Sequence, residues 1–208
     1  MCRWFDSAPG HQDQENASLC AGVFVFKTGS LTPDPFSQSQ PLLLLFNAKD
    51  RYLLARIACH LEDVFSLTNR VGFTTYWQRD LGMKTFDIEH LLKVPFDTAA
   101  LPTAHGFSDA KDYNESRNLF GALVLLPRSR NRSLQDKAYR DKLAAYATEN
   151  VLAQTLCDAL YQNNPNIATY VQANTNIGLA AISDFSKANI AHRANVYIAV
   201  AQKVWQMP

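Results

Sequence analysis

The sequence predicts an α+β domain, mainly helical, with a small two-stranded unit inside a helical shell. Three observations predict it. Most of the chain after Pro41 places apolar residues at helical spacing. Two short segments, Thr85–Leu92 and Gly121–Pro127, carry strand patterns instead. A polar stretch over 97–118, with Pro102, Gly106, Asp109, Asp112 and Asn114, separates those two segments as a long loop.

Residues 1–40 are rich in Ser, Pro, Gly, Gln and Asp, and only Ala21–Phe26 is strand-like. They are expected to form a loose or disordered N-terminal arm ahead of one domain over 41–208. From Pro41 to about Leu67, Leu53, Ile57, Leu61, Val64 and Phe65 form one helical stripe. Arg51, Arg56, Glu62 and Asp63 lie off it, and Asn69 and Gly72 end the segment. Thr85–Leu92 alternates polar and apolar up to His90, whereas Gly121–Pro127 is continuously apolar, as a buried strand is. After Pro127, Ser133 with Asp136 three residues on resembles a helix start, and helix runs to about Gln162 with a break near Asn150. Asn164-Pro165 opens a short helix. Asp184 or Ser186 caps a last one, with its stripe at Ile190, Ala194, Tyr197, Ile198, Ala201, Val204 and Trp205.

The 208 residues are 47% apolar and carry a net charge of +1, so a core is affordable but an all-over basic coat for nucleic acid is excluded. The apolar run Leu42–Phe46, like every other in the sequence, is too short to span a bilayer. The N-terminus lacks the long apolar run of a signal peptide. Cys2, Cys20, Cys59 and Cys157 show no metal-knuckle spacing and read as reduced thiols. A cytoplasmic protein with no membrane partner is expected.

Two segments carry residues suited to chemistry. Asp87-Ile88-Glu89-His90 ends the first strand, and Arg128-Ser129-Arg130-Asn131-Arg132-Ser133 follows the second. On a strand Asp87 and Glu89 face one way and His90 the other, and a bend after Glu89 lets Glu89 and His90 flank one site. A carboxylate beside a histidine suits an oxygen-liganded metal with an adjacent base. Asn131 can add an amide oxygen. The plainer readings are a surface Glu-His pair and an Asn that caps a helix. Between 128 and 142, Arg128, Arg130, Arg132, Lys137, Arg140 and Lys142 stand against Asp136 and Asp141, a local excess of four positive charges. Such a patch can hold phosphates or be a solvated helix face.

These stretches together resemble the HNH (His-Me finger) nuclease superfamily, and specifically the C-terminal nuclease domain of GmrSD-type modification-dependent restriction enzymes. The matching blocks are Asp87–Leu91, then Arg117-Asn118-Leu119-Phe120-Gly121-Ala122 through Asn131, then Asp136–Leu143, with the closing helix from Arg193 to Trp205. The resemblance implies a ββα-metal core with Glu89-His90 on the first strand and Asn131 on the helix after the second. It implies that His90 deprotonates water, that Glu89 and Asn131, with Asp87 in support or as a direct ligand, hold Mg2+ (or Mn2+), and that DNA is the substrate. Arg117, Arg128, Arg130, Arg132 and Lys137 are then the expected backbone contacts.

Three departures stand out. Lys93 lies where many such nucleases have Pro, Ala122 where many have a loop-tying Asn (for which Asn118 is the substitute), and no phosphate-cradling glycine loop of the usual nucleotide-hydrolysing partner domain is present. A separate partner subunit would supply that function. The rival expectations are a catalytically inactive DNA-binding or regulatory remnant, and a helical interaction protein.

Overall fold

The computed structural model describes residues 48–93, 105–162 and 164–205, so the arm expected over 1–40 and the strand expected at Ala21–Phe26 lie outside the described residues. The described chain is mainly helical with one two-stranded antiparallel sheet, as the α+β expectation required. In chain order it runs α1 (Ala48–Val64), α2 (Phe73–Trp77), β1 (Phe86–His90), α3 (Ala110–Arg117), β2 (Leu123–Pro127), α4 (Arg128–Leu134), α5 (Tyr139–Tyr146), α6 (Val151–Gln154), α7 (Asp158–Gln162), α8 (Pro165–Ala173) and α9 (Lys187–Trp205). No described helix is long and apolar enough to cross a membrane.

Several expectations are corrected by local chemistry. The long loop contains α3, whose first turn is capped by the Asp109 carboxylate accepting from Asp112 N at 2.8 Å. The helix expected from Ser133 begins five residues earlier, directly after Pro127, and Ser133 Oγ donates to Arg130 O inside it. The break expected near Asn150 is present, and two more interrupt the run, one around Gln135–Ala138 and one around Thr155–Cys157. Asn164 caps α8 with Pro165 at its first position, as read from the sequence. At α9, Ser186 and Asn189 exchange bonds around the helix start, while Asp184 pairs elsewhere with His105 and Arg140.

α1 is buried nearly all round. Leu54, Ala55, Ile57, Ala58 and Phe65 are wholly enclosed, and α2, α6, α9 and β2 pack against it. Arg51 and Glu62, read as lying off the apolar stripe, are therefore buried too, and each has work to do there. Arg51 places Nη2 against the carbonyls of Tyr76, Trp77 and Gln78 at 3.1–3.3 Å, closing the C-terminal end of α2. Glu62 accepts from Val71 N, Gly72 N and Tyr76 Oη, fixing the start of the same helix.

β1 pairs β2 with Asp87 opposite Leu126, Glu89 opposite Val124 and His90 opposite Leu123. The ladder continues past both ends, through Arg128 N to Thr85 O (2.8 Å) and Leu91 N to Ala122 O (2.9 Å). A two-stranded sheet has two open edges; here β2 is buried and β1 is partly covered. Four side chains satisfy outward carbonyls: Asn131 Nδ2 on Ile88 O (2.9 Å), Lys142 Nζ on His90 O (2.7 Å), Tyr197 Oη on Leu123 O (2.8 Å) and Asn150 Nδ2 on Leu125 O (2.6 Å). Each orphaned carbonyl would otherwise cost about 1–3 kcal/mol.

Candidate functional site

β1 extends straight through His90, so the bend expected after Glu89 is absent, and alternation along the strand sends Glu89 and His90 to different surroundings. Glu89 is 2% exposed. Its Oε1 lies 2.7 Å from Lys142 Nζ and 3.2 Å from Tyr146 Oη, two residues one turn apart on α5. Burial pushes the Glu89 carboxyl above its ordinary range, and the Lys142 ammonium opposes that shift. Burial likewise pushes the Lys142 ammonium down, opposed by Glu89.

His90 stands at the end of β1 with Asn118, the C-cap of α3, hydrogen-bonded to its ring. Asn118 thus supports the histidine itself. Enclosure holds the imidazole down to about 3, the nearby Arg117 charge adds to that, and the Asn118 bond partly offsets it. Arg117 is half-buried, its Nε donating to Leu92 O at 3.0 Å.

Stability should carry this signature. A histidine whose folded value lies below its unfolded 6.5 takes up protons on unfolding between about pH 6.5 and 3, so acid costs stability in that window. Urea unfolding of the wild type should lose up to about 1.4 kcal/mol per pH unit more than His90→Gln on acidification through it. Equal pH slopes for the two proteins would show that the ring titrates normally.

Asn131 sits in the middle of α4, not at its cap, and its amide nitrogen is committed to Ile88 O. That leaves Oδ1 as the acceptor. Asp87 meets Arg128 Nε at 2.7 Å and Arg51 Nη1 at 3.5 Å. The four expected side chains thus lie along one short strand and the helix beside it, yet each is held by a different partner. A divalent cation needs several oxygen donors free to face it. Glu89 gives its oxygen to an ammonium, and Asp87 faces two guanidiniums. Among the described residues no group of three or more His, Cys, Asp and Glu side chains is placed to hold a metal ion. As they stand, Glu89, Asp87 and Asn131 do not fit one shared ion.

The basic stretch is also partly spent. Of its six cations, Arg128 pairs with Asp87, Arg130 with Glu149 (2.7 Å), Arg140 with Asp184 (3.0 Å) and Lys142 with Glu89. Acids from elsewhere in the chain thus cancel the local excess, leaving Arg132 and Lys137, both exposed, outside these pairs. Sequence reading missed Tyr146, counted as apolar, and took Lys142 only as a surface charge. Their four-residue spacing, which puts both on one helix face, was the available signal.

Comparison with family models, with curated proteins and with solved structures finds no match to this chain.

Proposed function

We propose that this domain is a nuclease of the HNH type, hydrolysing phosphodiester bonds in DNA, with His90 as the base that takes a proton from water. The observation that carries the reading is the β–connection–β–α order in which β2 turns directly into α4 and Asn131 of α4 is hydrogen-bonded to β1 two residues before His90. A strand-end imidazole that stays neutral is in the form a general base requires. Its low proton affinity is a handicap in the free protein. A phosphate held beside it by Arg117 would raise that affinity, because a nearby anion favours the imidazolium. Of the expected backbone contacts, Arg117 is the one whose charge acts on His90, so it is the best placed. Arg132 and Lys137 are exposed and stand outside the ion pairs, while exposed Arg130 is paired with Glu149. Magnesium or manganese is the expected cofactor. Binding one through Glu89 would require the carboxylate to leave Lys142.

The engaged state of Glu89 and Asp87 favours a second reading, a DNA-binding or regulatory domain that keeps the scaffold without the hydrolysis. Plasmid nicking separates the two. The full chain should nick supercoiled DNA in magnesium or manganese and not in EDTA, and His90→Ala should lose at least about a hundredfold in rate, the low end for an acid–base residue. Activity unchanged by His90→Ala removes the nuclease reading. Salt-dependent DNA binding without cleavage in either metal establishes the second.

A further inference from the structure

The large apolar side chains exposed among the described residues are Trp77 (38%), at the end of α2, and Met83 (49%), six residues on and before β1. Trp77 belongs to a built cluster. The Phe73 ring lies nearly parallel to it (9°, centroids 6.4 Å), and Tyr52 meets both edge-on at 5.6 Å. Phe73 and Tyr52 thus brace the indole from α2 and α1, leaving part of it open to solvent. An aromatic side chain held rigidly with one part open to solvent is suited to anchoring a partner.

The exposed charge around it is mainly positive, with Arg79 and Lys84 against Asp80. Arg56 sets its guanidinium over the Phe73 ring at 5.2 Å. Arg79, two residues past Trp77, is exposed. Among the described residues neither Arg56 nor Arg79 is in an ion pair. Of the acids in this stretch, Asp80 is exposed beside Arg79, and Asp87 is already shared by Arg128 and Arg51. The partner that fits is one that brings aromatic faces and negative charges in alternation. A duplex keeps its bases stacked internally, and an acidic peptide offers charge without a π-face. An unpaired nucleic-acid strand offers both.

We propose that Trp77, flanked by Arg56 and Arg79, is a docking strip for single-stranded nucleic acid, stacking one unpaired base on the indole and setting the adjoining phosphates against the two guanidiniums. The inference goes beyond the nuclease reading and does not depend on it, since a strand can be held here whether or not His90 cleaves anything.

Fluorescence anisotropy of the full chain in EDTA, where binding is read apart from cleavage, tests it. The probes are a labelled oligothymidylate of about twelve nucleotides, the matching duplex and a polyglutamate peptide. Oligothymidylate should bind most tightly. Trp77→Ala should weaken it about tenfold while Trp77→Phe keeps most of the affinity, the difference that stacking on an aromatic face predicts. Arg79→Gln, at an exposed position where folding is not at risk, should weaken binding and flatten the salt dependence by about 0.7 in the log–log slope, one phosphate contact fewer. The proposal is overturned if oligothymidylate does not bind, if duplex or peptide binds equally well, or if Trp77→Ala and Arg79→Gln both bind as wild type does.

Discussion

Replacing Lys142 with methionine is expected to destabilise the domain by about 3–5 kcal/mol, the cost of leaving a buried charge without its partner. The substitution keeps the volume of the stem, so the loss comes from the ammonium. That group satisfies both Glu89 Oε1 and the His90 carbonyl, each at 2.7 Å, in a place with no measurable exposure. The pH dependence gives the mechanism away. Without Lys142 only the Tyr146 bond and the Arg117 charge oppose the burial that raises the Glu89 carboxyl, so its folded value stands further above its unfolded one. Such a group stabilises the fold while protonated and loses that contribution as pH rises, so Lys142→Met should be hurt more at pH 8 than at pH 5. Adding Glu89→Gln should recover part of the loss, because the amide needs no counter-charge. Urea unfolding of the two single variants and the double, at both pH values, reads all of this. If Lys142→Met unfolds at the wild-type midpoint at pH 8, the pair is not a buried one. The outcome also bears on the nuclease reading, since a Glu89 easily parted from Lys142 is one a cation can recruit.

Gly121→Ala is expected to cost at least about 3 kcal/mol, the upper end of the cost of overfilling a packed core. A Cβ at Gly121 would lie 2.0 Å from the Ile190 carbonyl oxygen and 2.8 Å from Ala194 N, so α9 itself would have to move. No side-chain rotation relieves a clash with backbone. Gly82 is the control. It too is a glycine, with φ +59° and nothing within 4 Å of its would-be Cβ. Gly82→Ala should cost about 1–2 kcal/mol from the left-handed backbone alone. Thermal unfolding of both variants checks the contrast, and a Gly121→Ala protein as stable as Gly82→Ala would refute the close approach of α9. The same packing explains why a short turn over Phe120–Ala122 replaces the first two residues expected of the second strand. The chain there is shaped by the helix lying on it.

What could be read from the residues in order was what neighbours in sequence decide. Alternation located β1 to within a residue at its start and its end at His90, and the continuous apolar run marked β2. Asn164-Pro165 announced a helix start because both the cap and the fixed φ act within three residues. α3 was missed because its eight residues are mostly polar, and what holds it is the Asp109 cap together with burial of Tyr113 and Ser116. The faces of α1 and α9 were read too simply. Arg51, Glu62 and Arg193 have the composition of a wet surface but lie inside, each with polar partners from another turn or element.

For the site, the sequence by itself determined which residues would lie close together: Asp87, Glu89 and His90 on one strand, and Asn131 on the helix that follows its partner. Their present engagements were decided only by the tertiary structure. A lone pair of strands covered by helices must find donors for its outward carbonyls, and in the low-dielectric interior a carboxylate must find a cation. Asn131, Lys142, Asn150 and Tyr197 answer the first demand, and Lys142 and Arg128 answer the second for Glu89 and Asp87. Those partners are 25 to 74 residues away along the chain, a distance over which spacing and periodicity carry no information.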